Sequence, residues 1–163
     1  MILRPYQVDA VTAAMDFVTK CLDPCLLELA TGAGKSLIIA DVAKKLLKLS
    51  NKKVLCLAPS KELVVQNHGK YLALGEPASI FSASANQKCL KNGVVFGSPV
   101  TVNNSIEKFK DNFGTIIIDE AHGITPTIIK IIDGIRAYNP RVRVIGLTAT
   151  PYRTSSGYIY EID

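Results

Sequence analysis

Leu29-Ala30-Thr31-Gly32-Ala33-Gly34-Lys35-Ser36 follows directly on the apolar run Cys25-Leu26-Leu27-Glu28-Leu29 and opens a stretch with helical spacing, Leu37, Ile38, Val42, Leu46 and Leu49. A strand that breaks into a glycine-containing turn and then a helix gathers backbone N–H groups and the positive end of a helix dipole around one point. Gly32 and Gly34 let the amides of Thr31, Ala33 and their neighbours approach a phosphate closely, because no Cβ stands in the way. Lys35 then supplies a counter-charge to the β and γ phosphates, and the Ser36 hydroxyl a hard oxygen for Mg²⁺. Leu29 stands where the general pattern GxxxxGK, followed by Ser or Thr, begins with glycine.

A second constellation lies far downstream. Ile116-Ile117-Ile118-Asp119-Glu120-Ala121-His122 reads as an apolar strand that delivers two carboxylates at its end. Asp119 is suited to hold Mg²⁺, usually through a water, and Glu120 to orient and deprotonate the water attacking the γ-phosphate. A DE pair alone is most often an exposed strand end. Beside a phosphate cradle that needs an acidic partner on another strand, it becomes the second half of an ATPase site with Lys35, Asp119 and Glu120 as the catalytic groups.

The stretches between these motifs alternate in period. Aliphatic and β-branched runs at 25–29, 53–58, 78–82, 94–96, 115–118 and 142–147 predict strands. The continuously apolar ones demand burial on both faces. Ile128, Ile131, Ile132 and Ile135 predict a helix, with Thr125 as N-cap and Pro126 at its first position. Polar residues 84–93 read as an exposed loop. The pattern is α/β: a doubly wound, mainly parallel sheet with helices on both faces, whose ligand site lies beyond the carboxyl ends of the strands.

The 163 residues, 48% of them hydrophobic, suit one domain with one substantial core. Nineteen Lys and Arg against 14 Asp and Glu leave a net charge of +5, compatible with a phosphate-backbone partner but weak alone. Four cysteines at 21, 25, 56 and 89 show neither paired CxxC spacing nor a histidine cluster, so reduced thiols are expected. No run approaches the roughly 20 apolar residues of a membrane span, and the start MILRPYQ does not resemble a secretory leader. The expected location is cytoplasmic.

ATGAGKS and DEAH, taken in order, resemble the superfamily 2 helicases of DEAD/DEAH type, whose N-terminal RecA-like domain is a P-loop ATPase. Leu3-Arg4-Pro5-Tyr6-Gln7 resembles the segment that reads adenine in that superfamily; Gln7 would pair with the base edge, and Arg4 would stack on or bond to it. Pro59-Ser60-Lys61 within LAPSKEL and Gly97-Ser98 within FGSP resemble loops that hold a nucleic-acid backbone without reading its sequence. Thr148 and Thr150 in LTATP resemble the motif that couples nucleotide state to domain movement, with His122 as hydrogen-bond partner. The wider stretch KELVVQNH, KY and ALG, with VVFGS and GLTATPYR followed by Gly157 and Ile159-Tyr160, resembles the bacterial RadD (YejH) DNA-repair ATPases, with Ala121 where that pattern has cysteine.

The resemblance implies ATP and Mg²⁺ as ligands, nucleic acid as partner with single-stranded or branched DNA favoured, and a second RecA-like domain outside residues 1–163. That domain would supply an arginine worth on the order of 10³ to 10⁵ in rate, so the isolated domain is expected to bind MgATP weakly and hydrolyse it poorly. An RNA helicase or the motor subunit of a restriction system satisfies the same motifs. A small-molecule kinase would explain the cradle but leaves PSKEL, GSP and TATP without a role, and a nucleotide-gated module without turnover would have no use for Glu120.

Overall fold

The computed structural model describes residues 2–30, 34–150 and 159–161, with the side chains of Ala30, His122, Thr150 and 159–161 excepted. In chain order the elements are α1 (Pro5–Lys20), β1 (Cys25–Ala30), α2 (Lys35–Ser50), β2 (Lys53–Leu57), α3 (Lys61–Leu72), β3 (Ser79–Ser82), β4 (Gln87–Lys88), β5 (Val94–Gly97), α4 (Pro99–Asn104), β6 (Phe113–Asp119), α5 (Pro126–Tyr138), β7 (Arg143–Thr150) and β8 (Ile159–Glu161).

The strands form one sheet in the order β4-β3-β5-β2-β6-β7-β1-β8. The six inner strands run parallel, and β4 and β8 close the two edges antiparallel. Each inner strand therefore ends on the same side of the molecule. The six expected strands are all present, with ends moved by one to three residues. Residues 84–93 were expected to be loop throughout; Gln87–Lys88 instead pairs with Phe81 and Ser82, although both residues remain exposed. Two polar residues carry no alternation to read, so only the neighbouring strand reveals this edge.

Two cores sandwich the sheet. Val54, Cys56, Ile117, Ile145 and Leu147 face α1, α2 and α3, while Leu55, Leu57, Ile116, Ile118 and Val144 face α4 and α5. Consecutive residues of β6 thus enter opposite cores, and this is why its run has no polar alternation. On α2 the buried stripe includes Ile39, Ala40 and Ala43 as well as Ile38, Val42 and Leu46, whereas Leu49, expected on the apolar face, is exposed. The stripe is wider than the five residues suggest because α2 packs against both α1 and α3.

Helix ends follow side-chain chemistry. Thr125 Oγ1 accepts from the Ile128 N–H at 3.3 Å with Pro126 at the first position of α5. Thr125→Ala leaves that amide without its acceptor and is expected to lower unfolding free energy by about 1 kcal/mol in chemical denaturation, with the slope unchanged. Ser60 caps α3 in the same way, accepting from Leu63 N–H at 3.2 Å. Among the described residues, no helix is long and apolar enough to cross a membrane.

Candidate active site at the carboxyl ends of the parallel strands

The turn after β1 and the end of β6 meet at Lys35. Gly34 sits in the left-handed region at φ 71°, ψ 47° and caps α2, so Lys35 and Ser36 are the first helical residues. A Cβ on Gly34 would stand 2.3 Å from Gln7 Nε2, so glycine avoids both backbone strain and displacement of the Gln7 amide. Thr31, Gly32 and Ala33, expected to complete the cradle, lie outside the described residues.

Lys35 Nζ lies 2.8 Å from Asp119 Oδ1 and 2.5 Å from Glu120 Oε2. The Asp119 contact is an ion pair outside hydrogen-bond geometry, because Oδ1 is buried and accepts no directed hydrogen bond. Burial is the largest single influence on the Lys35 pKa and would lower it. The contacts and charges of Asp119 and Glu120 together outweigh burial, so the ammonium is held above its ordinary range. Lys35 is a cation throughout neutral pH.

Glu120 is a non-glycine residue in the left-handed region, at φ 59°, ψ 50°. That conformation costs a side-chain-bearing residue roughly 1 kcal/mol. It ends β6 abruptly, so that Asp119 stays buried while Glu120 turns outward beside Lys35.

Lys35 and Glu120 line a cavity of about 580 Å³ with Arg4, Gln7, Ser36 and Gln66. Gln7, itself buried, accepts from the Arg4 backbone N–H at 2.8 Å and donates to Gly34 O at 3.3 Å. Its amide thus ties the start of α1 to the phosphate turn, while Arg4 is exposed. Two residues on α3 escaped sequence reasoning. Gln66 Nε2 donates to Ser36 Oγ at 2.9 Å, and Asn67 Nδ2 donates to Asp119 Oδ2 at 3.0 Å. Both stand inside KELVVQNH, but a polar residue in an amphipathic helix shows no sign of being buried until its neighbours are placed.

The donor set fits a hard divalent cation. The Ser36 hydroxyl and the Asp119 carboxylate are oxygen ligands, and Asp119 Oδ1 retains an acceptor site that no group hydrogen-bonds. Among the described residues no three His, Cys, Asp or Glu side chains cluster around a metal position, so a cation here would take its remaining ligands from phosphate and water.

The other expected residues share the same edge. Pro59 is exposed, Ser60 half-buried and Lys61 exposed, directly after β2. Gly97 is buried at the end of β5, where an added Cβ would lie 2.7 Å from Val102 Cγ2 and 3.1 Å from Phe81 O. Ser98 Oγ shares a 2.6 Å hydrogen bond with Ser82 Oγ. Packing therefore gives Gly97 and Ser98 roles of their own. Thr148 is buried on β7, opposite Glu28 of β1. The expected His122 to threonine contact rests on side chains outside the described residues.

A cradle at the end of β1, an acidic pair at the end of β6 and a single strand, β7, between them define a RecA-like P-loop domain of the superfamily 2 helicase type. The chain belongs to the family described as Type III restriction enzyme, res subunit, whose model matches residues 1–153. It is 30% identical over 176 residues to the ATP-dependent DNA helicase MPH1 of Pyricularia oryzae, covering 99% of this chain and 15% of that protein. It is 32% identical over 139 residues to QP509L of African swine fever virus, whose name assigns it provisionally to the ATP-dependent RNA helicases, covering 80% of this chain and 25% of that one. The UvsW helicase of bacteriophage T4 superposes with a TM-score of 0.73 at 26% identity, over 92% of this chain and 53% of that chain. The chain thus spans a quarter or less of those two relatives.

Proposed function

We propose that this chain is the ATP-binding first motor domain of a DNA-dependent ATPase acting in DNA repair or recombination. The observation that carries the reading is Lys35 held against both Asp119 and Glu120 at the wall of the 580 Å³ cavity. A lysine poised between a carboxylate pair and an open cavity can exchange those carboxylates for phosphates when a nucleotide enters.

In this reading the amides of Thr31, Gly32, Ala33 and Gly34 cradle the phosphates, Lys35 neutralises the β and γ groups, and Arg4 and Gln7 border the base. Mg²⁺, held through Ser36 and Asp119, would neutralise phosphate charge as the γ-phosphoryl group departs. Glu120 accepts a proton from water as the water oxygen bonds to the γ-phosphorus. The bond from that phosphorus to the β–γ bridging oxygen breaks, releasing ADP and phosphate. Thr148, Thr150 and His122 would pass the change to a second RecA-like domain, and Pro59, Ser60, Lys61, Gly97 and Ser98 would hold the nucleic-acid backbone.

A motor acting on RNA is the second reading, favoured by the relative named among RNA helicases. The discriminating measurement is ATP hydrolysis by the intact protein with single-stranded DNA, duplex DNA or RNA added separately. Stimulation by DNA and not RNA is the expected result. Stimulation by RNA alone transfers the protein to the second reading, and indifference to every nucleic acid overturns the motor assignment.

A further inference from the structure

Gln66 and Asn67, adjacent on α3, bond the two residues that the proposed function places at the magnesium site, Ser36 and Asp119. Asn67 is 2% exposed and its Oδ1 has no hydrogen-bond partner. Among the described residues, that oxygen and Asp119 Oδ1 are the buried side-chain polar atoms left without a hydrogen bond. The two side chains are hydrogen-bonded to each other, and Asp119 Oδ1 faces Lys35 Nζ at 2.8 Å, so Asn67 Oδ1 is the atom of this cluster left without a polar partner. The amide cannot simply be turned over to satisfy its oxygen, since that would set Oδ1 against the Asp119 carboxylate. A buried unsatisfied oxygen is costly, and a native structure tolerates one where a water, ion or ligand satisfies it.

We propose that α3 supplies the outer support of the magnesium site: Gln66 orients the Ser36 hydroxyl, and Asn67 orients Asp119 while offering its free Oδ1 to a water bound to the cation. The inference rests on the proposed function. The chemistry is complementary at each atom. The Gln66 N–H occupies one lone pair of Ser36 Oγ and leaves the other for the metal. Asn67 Nδ2 occupies Asp119 Oδ2, so Oδ1, which faces Lys35 Nζ at 2.8 Å, is the oxygen that turns to the metal or its water when Lys35 moves to phosphate. A water on a divalent cation is a strong donor, and it needs an acceptor such as Asn67 Oδ1. Both are positioning residues, acting through the ligands that they hold.

Residues of this kind alter metal affinity by about 10- to 100-fold. The test is Mn²⁺ binding to the intact protein with ADP present, followed by electron paramagnetic resonance, beside ADP affinity in EDTA. Asn67→Ala is expected to weaken Mn²⁺ binding by about 10- to 100-fold while ADP affinity in EDTA matches the wild type. Gln66→Ala, at an exposed helix position, is expected to weaken it about 10-fold and carries the test should the Asn67 variant not fold. Wild-type Mn²⁺ affinity in both variants overturns the proposal and leaves the ATPase reading standing. So does a loss matched by an equal loss of ADP affinity in EDTA, which marks a purely structural role. Failure of the wild-type protein to bind Mn²⁺ with ADP overturns both.

Discussion

Lys35→Ala is expected to raise the dissociation constant for MgATP by at least two orders of magnitude, about 2.7 kcal/mol, in an equilibrium binding measurement. The lysine contacts both carboxylates, and its loss would remove that positive charge from between them and the triphosphate. The same substitution acts before any nucleotide arrives. Asp119, with a side chain 1% exposed, loses its counter-charge and keeps only the Asn67 hydrogen bond on Oδ2. Leaving a buried carboxylate without its ion-pair partner costs about 3–5 kcal/mol, to be read as a lower melting temperature. Retained MgATP affinity would sink the assignment of Lys35.

The pH behaviour of that ion pair has a definite sign. Because the folded-state pKa of Lys35 lies above the ordinary value of 10.5, its stabilisation is complete below that value. It is lost as pH rises through the raised one. Titration of Lys35 therefore contributes no change in stability or nucleotide affinity between pH 6 and pH 9.

Glu120→Gln separates binding from chemistry. The amide keeps the shape of the side chain but cannot take a proton from water, so hydrolysis is expected to fall by about 10²- to 10⁴-fold. Nucleotide affinity is expected to hold or rise. The Glu120 carboxylate holds Lys35 and so competes with phosphate for it, and the uncharged amide competes less. Steady-state hydrolysis with a parallel binding titration reads both effects. Hydrolysis within threefold of wild type would remove Glu120 from its role as base. The backbone adds an independent check: at φ 59° glycine is unstrained, so Glu120→Gly is expected to lose the same activity without loss of stability from the turn itself.

Much of this architecture was legible because strong local chemistry and strong periodicity coincide. Gly34, Lys35 and Ser36 mark the turn after β1, and Asp119 and Glu120 the end of β6, because each motif needs particular residue types at adjacent positions. Six strands stand out as aliphatic and β-branched runs, and α5 as a stripe with its cap. The expectation that Gln7 is free to read a base edge is qualified by the structure, where its amide already bridges Arg4 and Gly34.

Strand identity, the helical stripes and the chemical types at the nucleotide site are properties of neighbouring residues, so the chain alone carries them. The order of strands is a property of contacts between residues far apart. Only the fold inserts β7 between β1 and β6, turns Gln87–Lys88 into an edge strand and leaves Leu49 outside the core. Only the fold brings Gln66 to Ser36 and Asn67 to Asp119. A buried amide and an exposed one look alike in a sequence. What distinguishes Asn67 is the removal of water around it, and α3 does that when it packs against α2 and the sheet.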